Sequence, residues 1–119
     1  MDDKIEIKKA IQSYIDSWVE RDVEKFKSLF HPEFIMVGPG KDGPEYYDIE
    51  KMIPRFSSAD TDWSQYRAIV SFVDAAGDVA SVIVEEFGFA GLMQPATSYF
   101  HLAKTKGKWL ITAKSYHFH

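Results

Sequence analysis

The sequence contains no cysteine, which excludes disulfides, thiol catalysis and thiolate metal sites. No run approaches the ~18 apolar residues of a membrane helix. The opening, MDDKIEIKKAIQ, lacks the apolar stretch of a secretory signal. Positive charge is sparse: the formal net charge is −4 over 119 residues. The densest basic cluster, KTKGK at 104–108, has the form of a hairpin tip. Such a chain offers no track for a phosphate backbone, so neither nucleic acid nor a membrane is an expected partner. These absences predict a soluble cytoplasmic protein. The length fits one domain spanning 1–119.

Aromatic rings are in excess. Nine Phe, six Tyr and three Trp make up 15% of the chain. That much ring surface calls for an aromatic-lined cavity or for an apolar face that another molecule covers.

Ile7, Ala10, Ile11, Tyr14, Ile15, Trp18 and Val19 recur at spacings of three and four, which predicts a first helix with one apolar stripe. Asp22 caps a second, short helix carrying Val23, Phe26, Leu29 and Phe30, which stops before Pro32. EFIMV (33–37) reads as a short strand. GPGKDGP (38–44), with three Gly and two Pro, reads as a loop without regular structure. Asp48 caps a third helix that turns Ile49, Met52, Ile53 and Phe56 inward. Four long strands follow at 63–73, 79–89, 97–104 and 108–119, joined in pairs through the turns DAAGD and TKG. The order helix–helix–strand–helix–four strands predicts an α+β fold, with three N-terminal helices packed on one face of an antiparallel sheet.

With TKG as a three-residue loop, Ala103 pairs with Trp109, His101 with Ile111 and Tyr99 with Ala113. His117 then shares this inner face. Phe100, Leu102, Leu110, Tyr116 and Phe118 occupy the opposite face, which is therefore also apolar and needs a cover. A second copy of the chain, related by a two-fold axis, is the expected one.

SYIDSWVERDVEKFKSLFHPEF (13–34) resembles the two opening helices of the nuclear transport factor 2-like superfamily. TSYFHLAKTKGKWLITAKSYHFH (97–119) resembles the ending of its bacterial branch labelled putative lumazine-binding. The resemblance implies a cystatin-like, cone-shaped α+β barrel: a strongly curved sheet, helices closing its wide end, and a pocket between them. The superfamily includes ketosteroid isomerases, scytalone dehydratase, polyketide cyclases and non-enzymatic domains, so the resemblance names no reaction.

The position of Tyr14 resembles that of the oxyanion tyrosine of the isomerases. The catalytic base would then fall at Gly38, which cannot abstract a proton. The late-strand acid would fall near Tyr99–His101, where no acid stands. The favoured expectation is therefore a pocket for a small organic molecule, lined by Tyr14, Trp18, Phe34, Met36, Met52, Phe56, Tyr99, His101 and His117, with no cofactor. One alternative is a proton-transfer enzyme, a lyase or isomerase, with Tyr14 and His101 as catalytic residues and Tyr99 beside them. Another is a protein-interaction module working through the sheet face. Of Glu85 and Glu86, neighbours on a strand, one points inward and is expected to pair with Arg67. No metal centre is expected, because the pairing puts His117 roughly 20 Å from His101 at ~3.4 Å per strand residue.

Overall fold

The computed structural model describes residues 3–58 and 62–119. Helix α1 runs over Asp3–Glu20 and buries Ile7, Ile11, Tyr14, Ile15 and Trp18 of the expected stripe, whereas Val19, also expected there, is exposed. Helix α2 (Val23–Ser28) is capped by Asp22, whose carboxylate accepts from the Lys25 N–H. It ends before Phe30, where strand β1 (Phe30–Gly40) begins. Strand β2 (Gly43–Tyr47) returns beside β1. Helix α3 (Ile49–Ser57) is capped by Asp48 and buries Met52 and Phe56. Strands β3 (Arg67–Ala76) and β4 (Val79–Phe87) form one hairpin. A 3₁₀ turn (Phe89–Gly91) leads to a second hairpin, β5 (Ala96–Thr105) and β6 (Lys108–Phe118).

The six strands form one sheet in the order β2-β1-β6-β5-β4-β3. The fold is the expected α+β class, three helices on a curled sheet, with three corrections. First, residues 38–44 are not an irregular loop. Gly38 pairs with Glu45, Pro39 with Pro44 and Gly40 with Gly43, around a turn at Lys41–Asp42. Two residues without a usable N–H face each other at the sheet edge, where the ladder tolerates them. Second, the sheet is mixed rather than wholly antiparallel: β1 lies parallel to β6.

The third correction changes which side chains face inward. The β5–β6 turn has two residues, not three: Thr105 pairs with Lys108, and Lys106 and Gly107 both take positive φ. This is the twist-matched hairpin turn. Leu102 then opposes Ile111, but His101 opposes Ala113, so Thr112 is an extra residue, a β-bulge. A one-residue change of register exchanges the two faces. Phe100 and Leu102, expected outside, are each 1% exposed. Tyr99, His101 and His117, expected inside, lie on the outer face and are exposed. Beyond the bulge, β6 turns Lys114, Tyr116 and Phe118 inward.

Rings fill the space between sheet and helices. Phe26 stacks on Phe56 at 4.1 Å, Trp18 on Trp63 at 4.3 Å, and Tyr14 meets Phe100 edge-on at 5.0 Å. Among the described residues no helix is long and apolar enough to cross a membrane.

Candidate functional site

Strand β4 alternates Val82, Val84 and Glu86 toward the interior, and Glu86 is 2% exposed. The bulge in β6 brings Lys114, also 2% exposed, to the same interior. Its Nζ lies 3.3 Å from Glu86 Oε1 and donates to the Tyr14 hydroxyl at 2.9 Å. Tyr66 donates to Glu86 Oε2 at 2.6 Å, and the Ser98 hydroxyl donates to Oε1. The ammonium is also ringed by Tyr14, Phe89, Phe100 and Tyr116, with centroids 4.9–5.3 Å away.

Desolvating two ions costs several kcal/mol each, which only near-complete pairing offsets. Here the carboxylate has three donors, and the ammonium has an anion, a phenol and four ring faces. Burial by itself would lower the Lys114 pKa; the Glu86 charge and Tyr14 outweigh it and hold the pKa above the ordinary value. Burial raises the Tyr14 pKa despite the nearby ammonium, so its phenol stays neutral. Burial, then the Glu86 charge, raises that of Tyr66 strongly.

Glu86 is thus the inward glutamate, and its partner is Lys114 rather than Arg67. The Arg67 guanidinium instead lies over the Phe87 ring, 5.6 Å from its centre. Glu85 faces outward and accepts from Thr97 at 2.6 Å. Lys114 was not legible as a site residue, because strict alternation from a three-residue turn puts it on the outer face.

A pocket of about 60 Å³ opens beside this cluster, lined by Trp18, Met36, Met52, Arg55, Trp63, Phe89, Ala90 and Tyr116. Phe89 and Tyr116 both wall the pocket and cage Lys114, so the ion pair lies one ring layer beneath the floor. Of the expected lining residues, Trp18, Met36 and Met52 are in the wall. Tyr14, Phe34 and Phe56 are buried behind it, none more than 1% exposed, and pack against other rings. Tyr99, His101 and His117 are on the far side of the sheet. His101 Nδ1 is 3.0 Å from Ser81 Oγ there, so Tyr14 and His101 do not address one substrate.

Gly38 has a packing role. A Cβ at this position would lie 2.3 Å from the Tyr116 hydroxyl oxygen. The phenol therefore rests directly on the β1 backbone, at the position where the resemblance would put a catalytic base. The Arg55 guanidinium sits over the Tyr47 ring, 5.0 Å from its centre. The indole N–H groups of Trp18 and Trp63 are buried without a hydrogen-bond partner among the described residues.

A family model described as "Putative lumazine-binding" matches residues 2–117. No curated protein matches the chain. Among solved structures, a nuclear transport factor 2-like protein from Cytophaga hutchinsonii superposes with a TM-score of 0.87 at 18% identity, covering 100% of both chains. One of unknown function from Methylobacillus flagellatus has a TM-score of 0.85 at 22% identity, covering 100% of this chain and 94% of that one. A protein from Streptomyces avermitilis, named a putative dehydratase of the same family, has a TM-score of 0.75 at 17% identity, covering 96% and 94%. At such identities these likenesses show a shared fold.

Proposed function

Because this chain belongs to the "Putative lumazine-binding" family, within the nuclear transport factor 2-like superfamily, we propose that it is a small-molecule-binding domain receiving a flat ring compound in the pocket beside α3. The observation that carries this reading is the wall itself. Two stacked indoles, two methionines, Phe89 and Tyr116 form an adaptable aromatic slot, with few polar groups to fix orientation.

The slot as it stands is smaller than the roughly 150 Å³ that holds a single benzene ring. A ligand therefore enters by displacing a wall. The turn after β4 forms one of these walls: Gly88, Ala90 and Gly91 all have positive φ, at 74°, 54° and 78°. For Ala90 that conformation is strained. A thermal-shift titration with lumazine and related bicyclic heterocycles tests the reading. The expected result is a rise that grows with the logarithm of ligand concentration, on the order of 10 °C at a hundredfold excess over Kd, with saturable quenching of tryptophan fluorescence. A series producing neither would overturn it.

The functional unit in this proposal is a homodimer formed through the outer face of the sheet. Ile69, Phe72, Val79 and Tyr99 are exposed there by 70%, 52%, 59% and 47%. Light scattering after size exclusion is expected to give twice the 13.6 kDa of one chain, and Phe72→Glu to give the monomer. A monomeric wild type would sink the dimer and favour a different protein partner on that face.

A further inference from the structure

Resting on the pocket reading above, we infer that the occupant is a planar acid, its carboxylate or enolate oxygen taken by the Arg55 guanidinium and the Tyr116 hydroxyl. Among the described residues the pocket wall contains one cation, Arg55, and no carboxylate. Among the described residues Arg55 has no carboxylate oxygen within 4.0 Å; it is held instead by stacking on Tyr47. The nearest acid along β2, Glu45, accepts the Tyr47 hydroxyl. Lys114, under the floor, is neutralised by Glu86 and lends the pocket no net charge.

A guanidinium lining an apolar slot, its planar fork without a carboxylate partner among the described residues, matches a carboxylate. Tyr116 adds a second donor. Its hydroxyl has no hydrogen bond to any described residue, and its place is set by the missing side chain of Gly38. The aromatic walls take the ring of the ligand, and these two groups take its charge. Among the described residues the wall offers a ligand cation ring faces but no carboxylate, and Arg55 would repel it.

Calorimetric titration of the intact chain with benzoate and benzamide, matched in shape and differing in charge, is the test. Benzoate is expected to bind at least tenfold more tightly. Arg55→Gln, at an exposed position, is expected to abolish that preference with the fold intact by circular dichroism. Tyr116→Phe keeps the ring on Gly38 and is expected to weaken benzoate about fivefold to tenfold. Equal affinities in the wild type, or a preference undiminished in both variants, overturn the anion assignment and leave the pocket reading standing. If benzoate, benzamide and lumazine all fail to bind, both fall together.

Discussion

Lys114→Met is expected to destabilise the protein by about 3–5 kcal/mol, measured by urea denaturation. The loss comes from what the substitution leaves behind. Glu86 would be left 2% exposed, with Tyr66 and Ser98 as donors but no countercharge. Domains of this size are stable by only about 5–15 kcal/mol, so the substitution removes a large share of the total. The double variant Lys114→Met/Glu86→Gln separates the buried charge from the lost packing. Glutamine still accepts from Tyr66 or Ser98, and no ion is left unpaired, so most of the loss is expected to return. A single variant costing less than about 1 kcal/mol would show that the pair is not a desolvated ion pair in solution.

The second large effect is expected at Gly88. Its φ is +74°, and a Cβ there would lie 2.3 Å from the carbonyl oxygen of Gln65 and 2.6 Å from its carbon. The clash is with backbone, which cannot rotate away. Left-handed geometry costs an alanine about 1–2 kcal/mol, and forced overpacking adds about 1–3. Gly88→Ala is therefore expected to lose about 2–5 kcal/mol in thermal or urea unfolding. The shift it forces on residues 65–66 also strains the Tyr66–Glu86 hydrogen bond. Gly107→Ala is the control: its φ is +81° but nothing lies within 4 Å of the added carbon. It is expected to cost only the backbone share. Equal losses at the two positions would mean that the Gln65 contact does not constrain the turn.

The helical half of the fold was legible because a stripe such as Ile7–Ile11–Tyr14–Trp18 survives small errors in where a helix begins. The strands were legible as strands but not in register. One residue fewer in the turn at Lys106–Gly107 and one more at Thr112 are each locally inconspicuous. Together they exchange the faces of Tyr99, His101, Lys114 and His117. The expected site inherited that exchange. Trp18, Met36 and Met52 lie on elements outside the misread hairpin and stand in the pocket wall, whereas the two inner-face histidines moved to the far side of the sheet. The buried lysine was invisible for the same reason: a lone Lys within WLITAKSY reads as a solvated position until the bulge is known. In the sequence Gly38 stands only as a missing base. What it supplies is room for a phenol from a strand almost eighty positions away, a relation that no local pattern carries.

The strand order has a consequence for how the chain assembles. Strand β6, over residues 108–118, lies between β1 and β5. Without it, β1–β2 and β3–β5 share no strand pairing, and each presents an unpaired edge to the gap. The same segment carries Lys114, so the interior acid on β4 waits without its countercharge until the seam is closed. Pairing Phe30 with Ile111, or Tyr14 with Lys114, also closes a very long loop, a slow step in a fold otherwise made of local hairpins. Closure of the sheet and neutralisation of its buried charge thus depend on the same strand. An intermediate stalled before it would expose two open strand edges and an unpaired carboxylate, a state prone to associate through those edges.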